Sequence, residues 1–239
     1  MTDDDDDDNL TAAKRRAAAR ALEFIRPEMR LGLGTGSTAA EFVRQLGPLA
    51  DGLKLLCVAT SQATAELAES SSIPTTTLDE VPELDLVVDG ADEFDPELRL
   101  IKGGGGALLR EKIVAAASQR MVVIADATKE VERLGCFPLP VEVDPFGLQS
   151  TRRHLLNLAR ALNLPPNLTL RRSAQGHAFV TDGGHYILDC AFGSIPDPEV
   201  LARSLATIPG VIEHGLFIGL ATTIIVAYAT EIRLLGEAD

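Results

Sequence analysis

Four short apolar runs, Met29–Leu33, Leu53–Ala59, Leu84–Val88 and Met121–Ala125, alternate with helix-forming segments through the first half of the chain. A strand that is apolar along its length has no polar face to offer water, so it belongs in a sheet covered on both sides. Strands of this kind separated by helices predict a mostly parallel, Rossmann-like α/β sheet with helices on both faces. Asn9 or Thr11 is placed to cap an Ala/Arg-rich helix running to about Phe24. A second helix carries Ala39, Phe42, Val43 and Leu46 on one face, and Ser61-Gln62-Ala63-Thr64 opens a third.

The texture changes after about Gly135. Pro138, Pro140 and Pro145 punctuate an extended stretch at Val141–Val143, and a helix is expected from about Gly147 to Leu162. Leu168–Arg171 reads as a strand, and Ala178–Cys190 as a hairpin around Asp182-Gly183-Gly184. A further helix begins near Asp197 and ends at Pro209-Gly210. This β-α-β-β-α order predicts a smaller ferredoxin-like α+β domain over 135–207. The strand-rich stretch Val211–Tyr228 is expected to return to the first sheet, so the larger domain takes 11–134 and 208–239.

The net charge of −13 misleads if read globally. Six of the 35 acids form the run Asp3 to Asp8, and the rest of the chain carries only −7. Like charges in a run repel one another, so residues 1–10 are expected to be a solvated, disordered tail. No basic patch points to nucleic acid, and no apolar run reaches the length of a membrane span. Three scattered cysteines, Cys57, Cys136 and Cys190, read as reduced thiols of a cytoplasmic protein.

Four segments carry candidate chemistry. Gly34-Thr35-Gly36-Ser37-Thr38-Ala39 follows the first strand and fits the dinucleotide pattern GxGxxA. That fold also wants an acid at the end of the second strand for the ribose. This strand ends Ala59-Thr60-Ser61, without one. Glycines here let the backbone approach a ligand, and helix N-terminal amides favour a phosphate or another anion. Asp89-Gly90-Ala91-Asp92-Glu93-Phe94-Asp95 follows the third strand, at the sheet edge where ligands of parallel sheets gather. Its carboxylates suit sugar hydroxyls and proton transfer, with a hard-cation site or a solvated acidic loop as the rival readings. Lys102 precedes Gly103-Gly104-Gly105-Gly106, and Glu111 follows within the next helical turns. Asp126-Ala127-Thr128-Lys129 puts a lysine just past the fourth strand, as a point charge for phosphate. The four histidines have no metal-ligand spacing and read as surface or packing residues.

Taken together, these segments resemble ribose-5-phosphate isomerase of type A. Gly34-Thr35-Gly36-Ser37-Thr38, Asp89-Gly90-Ala91-Asp92-Glu93, Lys102-Gly103-Gly104-Gly105 and Arg110-Glu111-Lys112 stand in that family's order and near its spacing. Thr181-Asp182-Gly183 and Ile208–Phe217 are similar to it as well, and the resemblance runs from about Leu10 onward. Gly106, Leu109, Gly184 and His185 depart from the family pattern. The resemblance implies metal-free interconversion of ribose 5-phosphate and ribulose 5-phosphate through an enediolate, in a homodimer or homotetramer. It implies that Glu111 is the base, that Lys102 and the glycine amides stabilise the enediolate oxygen, and that Asp89, or else Asp92, opens the ring. It further implies sugar-phosphate contacts from Thr35, Gly36, Ser37, Thr38, Asp89, Gly90, Ala91, Asp92, Lys102, Gly103, Gly104, Gly105 and Lys129, with Lys14 also able to reach the phosphate.

Three rivals fare worse. An aminosugar-phosphate isomerase or deaminase wants a histidine near the acids, and none lies between Met1 and Arg153. A non-catalytic sugar-phosphate sensor wants a helix-turn-helix module, for which there is no room before the first helix. A nucleotide-dependent oxidoreductase lacks its ribose-binding acid.

Overall fold

The computed structural model describes residues 3–237, with side chains of the first helix described from Asp8 onward. In chain order the elements begin α1 (Asp3–Ala21), β1 (Arg30–Leu33), α2 (Ser37–Leu53), β2 (Leu56–Ala59), α3 (Gln62–Ser70) and β3 (Leu86–Asp89). They continue with β4 (Glu93–Phe94), β5 (Leu100–Ile101), α4 (Leu108–Ala116), β6 (Met121–Asp126) and β7 (Leu139–Val143). Next come α5 (Leu148–Ala161), β8 (Leu168–Leu170), β9 (Tyr186–Cys190), α6 (Pro198–Leu205) and β10 (Val211–His214). The chain closes with β11 (Leu216–Phe217), β12 (Thr223–Ala227) and β13 (Ile232–Gly236).

Two compact units emerge. The first comprises Met1–Ala91, Arg110–Glu130 and Gly219–Asp239. Its sheet has the order β13-β12-β6-β3-β1-β2, parallel except for the edge strand β13. Strand alternation shows why the runs are apolar throughout. Leu31, Leu33, Leu86 and Val88 share a core with Ala17, Ala18 and Phe24 and with Phe42, Val43 and Leu46 of α2. Gly32 lies on the opposite face, against Val87 and Val114 of α4. Both faces are thus covered, as the sequence predicts.

The second unit comprises Asp92–Leu109 and Val131–Ile218. Its antiparallel sheet has the order β10-β7-β9-β8, built by a βαββαβ chain, which is the ferredoxin-like arrangement. Leu139, Val141, Val143, Leu188 and Cys190 face Leu155 and Ala159 of α5 and Leu201 and Leu205 of α6. A second small sheet, β11-β5-β4, completes the unit.

Four expectations change. The aspartate run is helical and forms the first turns of α1. Residues 92–109, which the sequence assigns to the larger domain, belong to the second unit, because β5 pairs antiparallel with β11. For the same reason Val211–Tyr228 divides. β10 and β11 stay in the second unit, and only β12 returns to pair with β6. In the expected hairpin, Gly184 turns back onto Thr181. Only Tyr186–Cys190 is a regular strand, since the incoming arm bonds to Arg171 and Arg172 instead.

Candidate active site

In the first unit, Thr35–Thr38 and Asp89–Ala91 lie at the carboxyl ends of β1 and β3. Gly34 makes this possible: a Cβ there would lie 2.5 Å from the Asp89 Cα and would run into its carboxylate. With glycine the two strand ends close, and Gly34 N–H donates to Val88 O at 2.9 Å. Asp89 is fully buried, and its Oδ1 accepts from the backbone N–H of Thr35 (3.1 Å) and of Gly90 (2.7 Å).

Thr35 is anchored through its side chain as well. Its hydroxyl lies 2.8 Å from Thr60 Oγ1, 2.8 Å from Ser61 Oγ and 3.1 Å from Thr64 Oγ1. Thr60 and Thr64 in turn donate to the carbonyls of Leu33 and Gly34. Where a dinucleotide fold has its acid, this chain has a hydroxyl cluster that pins the first glycine turn. Ser61 doubles as the α3 cap, accepting from Thr64 N–H. Beyond Thr35, Gly36 and Ser37 are exposed at the start of α2 and Thr38 is buried. Lys129 is half-buried in a short turn after β6, where Asp126 accepts from Thr128 N–H at 3.0 Å. Lys14 is half-buried on α1, and Glu111 is 4% exposed in the first turn of α4.

In the second unit, Asp92 and the glycine run are joined. Gly104 N–H donates to Asp92 Oδ2 at 2.7 Å, and a Cβ on Gly104 would collide with that carboxylate. Lys102 is 2% exposed, its backbone N–H donates to Gly215 O, and its ammonium sits 5.6 Å from the Phe217 ring centre. Gly103 is buried, while Gly104 and Gly105 are exposed.

The acidic run separates by task. Glu93 is buried and accepts from the N–H groups of Gly135 and Phe137, fastening β4 to the segment before β7. Asp95 is fully buried and pairs with Arg99, at 2.7 Å to Nε and 2.6 Å to Nη2. Both acids make bonds that hold the fold. Among the described residues no group of three or more His, Cys, Asp or Glu side chains is arranged to hold a metal ion.

Residues 56–231 match the family model of ribose 5-phosphate isomerase A (phosphoriboisomerase A). The chain is 59% identical to ribose-5-phosphate isomerase A of Nitrobacter hamburgensis, over 91% of this chain and 94% of the relative. The chain belongs to the ribose 5-phosphate isomerase A family. It is an isomerase that interconverts ribose 5-phosphate and ribulose 5-phosphate. Solved structures of the family superpose closely. A D-ribose-5-phosphate isomerase in complex with phospho-erythronic acid matches with a TM-score of 0.88 and 38% identity, over 95% of this chain and 99% of that one. The Methanocaldococcus jannaschii ribose 5-phosphate isomerase A matches with a TM-score of 0.87 and 35% identity, again over 95% and 99%.

The hydroxyl cluster was open to sequence reading, because Thr60, Ser61 and Thr64 recur where the ribose acid is missing. Arg171 was not. Its guanidinium donates to the carbonyls of Gly103 (2.7 Å) and Gly104 (3.0 Å), and nothing local in sequence links those segments.

Proposed function

We propose that Glu111 is the base of a metal-free, enediolate isomerisation, in the non-oxidative pentose phosphate pathway of the cytoplasm, with carbon fixation as the alternative setting. The supporting observation is the pinned Asp89 carboxylate, a buried acid held by two backbone amides at the carboxyl end of a parallel strand. Asp89, or else Asp92, exchanges the proton that opens the furanose ring. Glu111 takes the C2 proton and returns it to C1, while a proton passes from O2 to O1, so the carbonyl moves from C1 to C2. Charge develops on the enediolate oxygen, and donors aimed there supply much of the rate. Lys102 and the amides of Gly103 and Gly105 fill that role, while the N–H of Gly104 holds the Asp92 carboxylate beside the substrate.

Thr35, Gly36, Ser37 and Thr38, with Gly90, Ala91 and Lys129, contact the sugar phosphate, and Lys14 extends to the phosphate. The exposed Gly36 and Ser37 at the start of a 17-residue helix support an anion there. The substrate partner is a small sugar phosphate, and the enzyme assembles as a homodimer or homotetramer. Among the described residues no helix is long and apolar enough to cross a membrane.

The test is turnover in D2O with a strong chelator present. The expected outcome is undiminished ribulose 5-phosphate formation, with solvent deuterium entering at C1. Activity that disappears with the chelator, or product formed by hydride shift with no solvent label, contradicts the reading.

A further inference from the structure

Arg171 stands one residue beyond β8, with its backbone N–H bonded to Ile187 O of β9. Thr169 pairs with Asp189 across the two strands, so Arg171 is the diagonal neighbour of Asp189 on the same face. That face is the one turned away from Leu168, Leu188 and Cys190 and their core. The pair meets fork to fork, Nε to Oδ2 at 3.0 Å and Nη2 to Oδ1 at 2.5 Å. The guanidinium also lies over the Phe179 ring, 5.9 Å from its centre. Asp189 and Phe179 leave it little freedom to swing.

Its remaining nitrogen, Nη1, reaches the carbonyl oxygens of Gly103 and Gly104. A trans peptide is planar, with C=O and N–H on opposite sides. Holding Gly103 O on one side therefore turns Gly104 N–H to the other, where it donates to Asp92 Oδ2 at 2.7 Å. Guanidinium and carboxylate grip the two ends of one peptide unit. Holding Gly104 O likewise turns the exposed N–H of Gly105 away from Arg171. Gly106 N–H also donates to Gly103 O at 2.9 Å and closes the turn, but four successive glycines would otherwise sample many conformations. Donors that must be ordered during the reaction stabilise its charge less than donors already in place.

We propose that Arg171, held by Asp189, is a positioning residue of the isomerisation: it sets the peptide planes 103–104 and 104–105 and, through the first, the carboxylate of Asp92. This role rests on the reading that Asp92 and the glycine run contact the substrate. Lysine cannot replace it, because one ammonium cannot pair with both Asp189 oxygens while bridging two carbonyls.

The test compares R171A and R171K with the unaltered chain for kcat and KM on ribose 5-phosphate. Misplacement of catalytic groups by about 1 Å costs up to about 100-fold in rate, so both variants are expected to lose about 10- to 100-fold in kcat. KM should change far less. Millimolar guanidinium should recover part of the R171A rate and none of the R171K rate. If R171A does not fold, R171K alone decides. A kcat for R171K within about twofold of the unaltered chain, or a loss in folded R171A that guanidinium leaves untouched, overturns the proposal. Glu111→Gln is measured alongside. Normal turnover there means the site reading itself has failed, whereas an inactive E111Q beside fully active Arg171 variants removes only the positioning role.

Discussion

The backbone N–H of Thr35 donates to the buried carboxylate of Asp89 at 3.1 Å, tying the end of β1 to the end of β3. Gly34 is the condition for this contact, since a Cβ would lie 2.5 Å from the Asp89 Cα. Gly34→Ala must push the strand ends apart. We expect a stability loss of about 1–3 kcal/mol, typical of overpacking, together with loss of most turnover. Urea unfolding and a steady-state assay check both, and unchanged turnover would show that the Asp89 geometry is not needed.

The Thr35 hydroxyl touches Thr60, Ser61 and Thr64. Thr35→Val keeps the shape and removes the shared oxygen, leaving buried hydroxyls without their partner. The expected cost is about 1–3 kcal/mol. Thr35→Ser, which retains the oxygen, should recover most of it. Equal melting temperatures for the two variants would speak against the cluster as an anchor.

Asp92 and Asp95 sit three residues apart and should respond oppositely. Asp95→Ala removes a fully buried carboxylate that bonds the Arg99 guanidinium and the N–H groups of Glu97 and Arg99, and is expected to cost about 1–3 kcal/mol, with Glu97 and Glu199 still paired to Arg99. Its remaining folded protein should keep a near-normal kcat. Asp92→Asn should change the melting temperature little and lower kcat. Thermal melts and kcat measured on the same preparations separate the two, and a reversed pattern would mean the acids have been assigned the wrong tasks.

The thiols should also divide. Burial pushes the Cys57 thiol up to about 12, and burial with the nearby Asp189 charge raises Cys190 further. Both stay protonated at neutral pH, and the thiolate is the reactive form. Cys136 is exposed. A thiol-reactive dye at pH 7.5 should therefore label one cysteine quickly in the native protein and all three in denaturant. Rapid labelling of Cys57 in the native state would contradict its burial.

Much of the architecture and the candidate segments was legible because their signals are local. Apolar runs such as Met121–Ala125 report a doubly covered sheet, and Gly34–Thr38 reports a strand-to-helix turn with one pattern. What was hidden depends on distant pairing. Residues 92–109 lie with the second unit only because β5 meets β11, and short strands of two residues leave no periodic trace. The same holds for Arg171, whose partners Asp189, Gly103 and Gly104 come from separate segments. Within the acidic run, composition could not tell Asp89 from Asp95. Backbone amides hold both, and Asp95 pairs with the Arg99 guanidinium besides.

The central claim is that one carboxylate moves the proton between C2 and C1. The most direct measurement is the kcat of Glu111→Gln on ribose 5-phosphate, made on protein whose melting temperature matches the unaltered chain. General base catalysis is worth about 10²–10⁴-fold, so a loss of at least that size is expected, with solvent deuterium no longer entering at C1. Near-normal turnover by folded E111Q would contradict the claim.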